Sequence, residues 1–126
     1  MVPKLRNVDQ MSIQKIGEEL KNTSQLCREL KIDKKEFFGG SMTISSLGGI
    51  GGTHFTPIIN PPEVAILGVG RTFDRLDKEK NQIVSKKILP ISLSYDHRLI
   101  DGAEGARFCV YLGKCLGKDF AFKLAV

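Results

Sequence analysis

The run Tyr95-Asp96-His97-Arg98-Leu99-Ile100-Asp101-Gly102 holds the residues whose types and spacing best suit chemistry. An imidazole exchanges a proton near neutral pH, so His97 is a candidate general base. Asp101 follows four residues later, on a turn closed by Gly102, where it can hold the local geometry or the surroundings of the ring. Ile91, Leu93 and Tyr95 alternate with two serines and Asp96, which predicts a strand with one buried face. A side chain leaving the end of such a strand stands on a rigid support at a surface edge. The spacing by itself equally describes a surface histidine among ordinary charges. Two glycine patterns carry no chemistry of their own. Gly49-Ile50-Gly51 is followed by His54 where a dinucleotide fingerprint needs glycine, and Gly68-Val69-Gly70 by Phe73; no Gly-Lys-Ser/Thr follows either.

The elements that must position these groups can be read along the chain. Ile13, Ile16, Leu20, Cys27 and Leu30 form one stripe of an amphipathic helix over residues 12–31, with Ser12 or Asp9 as its N-cap. Asp33-Lys34-Lys35-Glu36 has the form of a capping box opening a short helical turn that ends near Gly39 and Gly40. Ser41 to Ser46 suits a strand, and Leu47 to Gly52 a flexible or closely approached backbone. Pro57–Asn60 and Val64–Gly70 are short β-branched runs separated by Pro61 and Pro62, which must lie off any central ladder. Residues 71–76 and 82–89 predict a hairpin whose tip is the polar stretch Asp77–Asn81. Residues 103–116 read as a helix, and the tail from Phe120 to Val126 alternates apolar residues with Ala121, Lys123 and Ala125. The order predicts an α/β fold, a mixed sheet with flanking helices.

Composition narrows the classes. The 126 residues suffice for one domain able to bury roughly two-thirds of its unfolded surface. The longest clean apolar stretch, near Val64 to Val69, is far too short to span a membrane, and the N-terminus lacks an apolar secretory segment. Cys27, Cys109 and Cys115 are odd in number and form no CxxC pair, so neither a disulfide framework nor a metal site is expected, and a reducing compartment is. The net charge of +5 sits mainly in residues 1–36 and 71–87; between Phe37 and Gly70 the one charged side chain is Glu63. No basic run is interleaved with aromatics, so no nucleic-acid partner is expected, and an anionic cofactor suits the charge better.

The longer string from Ser94 to Phe108, SYDHRLIDGAEGARF, closely resembles the DHRxxDG signature of dihydrolipoamide acyltransferases, the core components of 2-oxo acid dehydrogenase complexes. The resemblance continues through Gly39–Gly70 and Leu89–Ser94 and reaches the N-terminal helix, with GGTHFTPIIN most like the pyruvate (acetyl) branch. It implies a chloramphenicol-acetyltransferase-like fold of which this chain is the C-terminal half. That family's catalytic domain is about twice this long. The lipoyl domain and the small peripheral-subunit-binding domain are not expected within these residues.

The resemblance also implies an activity, acyl transfer between dihydrolipoamide and coenzyme A. The family's catalytic base falls on His97 and its oxyanion-stabilising hydroxyl on Ser45, with Ser46 as the neighbouring alternative. Asp101 falls on an acidic or amide position read here as orienting the loop, and Arg98 is read as a structural ion pair. Coenzyme A or acetyl-CoA is the implied substrate, with the lipoyl group supplied by another domain and no metal. The implied partners are further copies in a homotrimer and larger core, the lipoyl domain, and the 2-oxo acid decarboxylase and dihydrolipoamide dehydrogenase of the complex. The histidine of one subunit is expected to face the serine of its neighbour, and the tail either to dock into adjacent trimers or to pack as a final strand. The implied compartment is the bacterial cytoplasm, with the mitochondrial matrix as the alternative. Two other functions fit the same residues: a catalytically impaired assembly fragment of such a core, and an unrelated HxxxD acyltransferase with a small-molecule acceptor.

Overall fold

The structure is a computed structural model that describes residues 2–117 and Phe120. Residues up to Gly40 belong to one unit and Ser41–Gly117 to a second.

In the first unit, helix α1 spans Ile13–Arg28 and Ser12 is its cap, its hydroxyl accepting from Lys15 N–H at 3.2 Å. A 3-10 turn over Lys34–Phe37 starts at Asp33, whose carboxylate accepts from Lys35 N–H at 3.0 Å. The reciprocal arm expected of Glu36 is spent elsewhere: its carboxylate receives Arg6 at 3.2 Å, and Lys4 N–H donates to the Glu36 carbonyl at 2.9 Å. Of the predicted apolar stripe, Ile16 and Cys27 are half-buried while Ile13, Leu20 and Leu30 are exposed, and no residue of the helix is fully buried.

The second unit contains strands β1 (Thr43–Ser46), β2 (Ala65–Val69), β3 (Phe73–Glu79), β4 (Gln82–Ile88) and β5 (Ile91–Tyr95) and helix α2 (Gly102–Cys115). Its mixed sheet has the order β1-β2-β5, with β1 parallel to β2 and β5 antiparallel to it. The register aligns Ser45 with Gly68 and Gly68 with Ser92, so Thr43, Ser45, Ile66, Gly68, Ser92 and Ser94 share one face. Ile44, Ala65, Leu67, Leu93 and Tyr95 share the other. Of the two β-branched runs, only the second contains a strand; Pro57–Asn60 is irregular, and Pro57 is buried. Asn60 instead donates its amide to the Thr43 hydroxyl at 3.2 Å, which donates to the Glu63 carboxylate at 2.6 Å.

Strands β3 and β4 form a separate two-stranded hairpin. Its tip is shorter than Asp77–Asn81: Asp77 and Glu79 lie in the ladder, and Lys80 and Asn81 make the turn with φ of 43° and 67°. Two positive φ values in a row match a two-residue type I′ turn, whose twist suits the flanking strands. The polar residues stay in the strands because they pair there. Arg75 bridges Asp77 at 3.0 Å, Lys87 bridges Asp74 at 2.9 Å, and Lys86 contacts both Asp77 and Glu79.

Among the described residues, the buried aliphatic side chains Ala65, Ile66 and Leu67 all lie on β2, Pro57 and Pro90 are also buried, in irregular segments of the chain, and no side chain is fully buried. This is less core than the length permits. Ile44 on the edge strand β1 is 68% exposed although it shares a face with Leu67. The cysteines are free and half-buried. No described helix is long and apolar enough to cross a membrane.

Candidate active site

His97 stands on the turn between β5 and α2, and the turn is fastened at both ends. Asp96 N–H donates to the Val64 carbonyl at 2.8 Å, extending the β2–β5 pairing, and the Asp96 carbonyl accepts from Leu99 and Ile100 N–H, each at 3.0 Å. Arg98 grips the Asp96 carboxylate through Nε at 2.9 Å and a terminal nitrogen at 2.6 Å, and its backbone N–H adds a third donor at 3.0 Å. These donors hold the Asp96 carboxyl down to about 2, well below its ordinary 3.8. Arg98 is thus the structural ion pair that its place in the signature implied.

The imidazole is exposed and leans on Tyr95, ring centroids 5.7 Å apart with a 38° tilt. Tyr95 is backed in turn by α2. A methyl group at Gly105 would lie 2.8 Å from Tyr95 Cε1, so only a residue without a side chain lets the helix approach this closely. Gly105 is buried although it lies in a helix whose other residues are mostly exposed. Asp101 is the N-cap of α2, its carboxylate accepting from Glu104 N–H at 2.7 Å. Its carboxylate therefore caps the helix that carries Gly105.

Ser45 is half-buried on the β1 edge of the sheet, facing the same side as Thr43. Ser46 is exposed and faces the opposite side. The segment after β1 is the closely approached backbone the sequence allowed. Leu47 N–H donates to the Val69 carbonyl at 3.0 Å, Arg71 N–H to the Gly52 carbonyl at 2.9 Å, and Arg71 Nε to the Gly48 carbonyl at 3.4 Å. A Cβ at Gly70 would fall 2.1 Å from the Thr53 carbonyl oxygen, so the loop crosses directly over that residue. The Asn60–Thr43–Glu63 chain ties the start of the same strand to the loop before β2.

The structure brings His97 and Asp101 together on one turn but holds Ser45 apart. Ser45 is level with Ser92 across two strand spacings, and His97 is five residues beyond Ser92. At about 4.8 Å per strand and 3.3 Å per residue this separates their Cα atoms by roughly 15–20 Å. Tyr95, Gly105 and the Asn60–Thr43–Glu63 chain were not identified as supports from the sequence. A glycine inside a helical pattern and an isolated charge in an uncharged stretch were the signals that pointed to them. Among the described residues, no group of three or more His, Cys, Asp or Glu is arranged to hold a metal.

A mixed sheet that ends in a capped DHRLIDG turn defines a class, and the chain belongs to it. Residues 1–121 match the family described as 2-oxoacid dehydrogenases acyltransferase (catalytic domain). The chain is 49% identical over 116 residues to the dihydrolipoyllysine-residue acetyltransferase component of pyruvate dehydrogenase complex of Haemophilus influenzae, covering 92% of this chain and 20% of that protein. It is 45% identical over 120 residues to the protein of that description from Cupriavidus necator, covering 95% and 22%. These relatives agree with the pyruvate branch read from GGTHFTPIIN.

The fold superimposes with a TM-score of 0.89 and 45% identity on Azotobacter vinelandii dihydrolipoamide acetyltransferase, covering 96% of this chain and 50% of that one. That structure belongs to a crystallographic and enzymatic investigation of the role of a serine, a histidine and an asparagine in its catalytic mechanism. The cubic core of the pyruvate dehydrogenase multienzyme complex superimposes with the same TM-score and coverage. The fold is thus the chloramphenicol-acetyltransferase-like one expected. The chain spans about a fifth of the length of these curated relatives and half of these solved chains.

Proposed function

We propose that this chain is the C-terminal half of the catalytic domain of a dihydrolipoamide acetyltransferase, moving an acetyl group between dihydrolipoamide and coenzyme A. One observation carries the reading. The intervals from serine to histidine and from histidine to asparagine named for the Azotobacter vinelandii enzyme equal those from Ser45 to His97 and from His97 to Asp101. Asp101 stands where that enzyme has asparagine, and both residue types cap helices well.

In the reaction, His97 takes the proton of the attacking thiol, and the thiolate adds to the thioester carbonyl. The oxygen of the tetrahedral adduct becomes an anion, which the Ser45 hydroxyl stabilises by donating a hydrogen bond. When the adduct collapses, the carbon–sulfur bond to the other thiol breaks, and the His97 imidazolium returns the proton to that sulfur. Arg98 and Asp96 hold the turn, and Tyr95 supports the ring. The chemistry is symmetric in its two thiols, so one base serves both directions.

The separation of Ser45 from His97 within one chain supports a working pair drawn from two copies, as in a homotrimer within a larger core. The lipoyl domain, the 2-oxo acid decarboxylase and the dihydrolipoamide dehydrogenase are the partners this role needs. The compartment in the proposal is the bacterial cytoplasm, with the mitochondrial matrix as the alternative.

The test measures acetyl transfer from acetyl-CoA to dihydrolipoamide together with mass in solution. Transfer by an oligomer that is lost in His97→Ala supports the reading. A stable monomer, or transfer unchanged by His97→Ala, removes it. An oligomer that neither turns over nor binds coenzyme A leaves the assembly-fragment reading, and transfer only to small-molecule acceptors leaves the unrelated acyltransferase.

A further inference from the structure

Gly68 occupies the middle of the ladder row that begins at Ser45 and ends at Ser92, and all three residues face the same side of the sheet. What covers Gly68 there is the end of the Phe55 ring. A Cβ placed on Gly68 would lie 2.9 Å from Phe55 Cζ and 3.3 Å from both Cε atoms. The ring therefore fills the place that a side chain on Gly68 would take. Side chains paired across neighbouring strands lie about 5 Å apart at Cβ. Phe55 thus covers the row between the two serines as an apolar wall about one strand spacing from Ser45, on the same face of the sheet. It is carried there by the loop that Gly70 admits across β2 and that Arg71 fastens.

We propose that Phe55 is a specificity-determining residue that limits the size of the acyl group served by Ser45. The inference rests on the reading of Ser45 as the oxyanion donor. If that hydroxyl receives the carbonyl oxygen, the acyl chain on the same carbon must lie within a few ångströms of it, where the phenyl ring takes up the room. A short acyl group fits beside the ring and a branched one meets it. The discrimination is steric, and one added methylene in such a setting is worth about 10- to 200-fold.

The experiment compares kcat/KM for acetyl-CoA, propionyl-CoA and isobutyryl-CoA with dihydrolipoamide as acceptor, using the full chain. In Phe55→Ala the isobutyryl-to-acetyl ratio is expected to rise by about tenfold or more. Gly68→Ala is a second probe, because its methyl group must displace the end of the ring while Ser45 and His97 stay intact; it is expected to change the ratio too. Ile58→Ala, at a position 87% exposed, is the control and is expected to leave the ratio alone. Should Phe55→Ala fail to fold, Phe55→Leu and Gly68→Ala report the same ratio. Active variants at Phe55 and Gly68 with the ratio of the unaltered protein overturn the proposal. Absence of transfer from every acyl-CoA in the unaltered protein instead removes the reading of Ser45, and this proposal falls with it.

Discussion

The Asp101 carboxylate accepts the Glu104 N–H at 2.7 Å, so the second acidic residue of the DHRLIDG turn is also the cap of the helix that backs Tyr95 and, through it, His97. The position thus has a structural task that does not depend on a negative charge. Asp101→Asn keeps a capping side chain and is expected to cost a few tenths of a kcal/mol at most, with turnover close to that of the unaltered protein. Asp101→Ala removes the cap and is expected to cost about 1 kcal/mol of stability. Chemical denaturation and acetyl-transfer rates on the pair of variants check this. A large loss of turnover in Asp101→Asn would give the carboxylate's charge a part in the reaction.

Substitution of either His97 or Ser45 is expected to lower transfer strongly. Removing a general base costs about 10²-fold or more, so His97→Ala is expected to lose at least that in transfer. Removing an oxyanion donor costs about 10²–10³-fold, which is the expectation for Ser45→Ala. Steady-state rates decide it. A normal rate in Ser45→Ala would move the donor role to Ser46 or to a backbone N–H.

Much of this arrangement was legible in sequence because its members are neighbours in the chain. His97, Arg98 and Asp101 lie on one turn whose strand and helix both announce themselves through periodicity. Ser45 became a candidate only through family resemblance, because a serine on a strand has no distinguishing pattern of its own. Its distance from His97 depends on the register of three strands, which no local signal encodes. Charge alone suggests a loop across Asp77–Asn81, whereas cross-strand pairing with Lys86 keeps Asp77 and Glu79 in the ladder. Pro57–Asn60 has the composition of a strand, but Pro57 lacks a donor and Asn60 is drawn to Thr43. The helix and strand faces were read correctly as apolar, yet periodicity identifies a face and not what covers it. The tail beyond Phe120 lies outside the described residues.

The Asp96–Arg98 pair gives the turn a defined acid limit. A carboxylate depressed in the folded state stabilises it above the unfolded value of 3.8, and that contribution is lost as pH falls toward about 2. Thermal unfolding between about pH 4 and pH 2 is therefore expected to decline more steeply in the unaltered protein than in Asp96→Asn. The matching NMR titration is expected to place the Asp96 midpoint near the bottom of that range. Identical acid profiles for the two proteins would show that the pair contributes nothing to stability.

Gly105 offers a test of how the histidine is supported. Gly105→Ala puts a methyl group 2.8 Å from Tyr95 Cε1, a rigid ring packed against a strand. Overpacking of this kind costs about 1–3 kcal/mol. The expected result is a lower midpoint of denaturation, with transfer reduced further than in a variant of equal stability altered far from the turn. Unchanged stability would mean that α2 and β5 have room to separate.

The gap between Ser45 and His97 within one chain has a genetic meaning under the proposed function. Each chain would lend its base to one site and its hydroxyl to another, so the two defects would not belong to the same site. A cell carrying one allele with Ser45→Ala and another with His97→Ala would assemble mixed oligomers. In some of these the intact histidine of the first product would meet the intact serine of the second. Two alleles that are each inactive alone would then rescue one another, whereas two different alleles at His97 never would. Such interallelic complementation is a trait of the population of chains and is invisible in any single one.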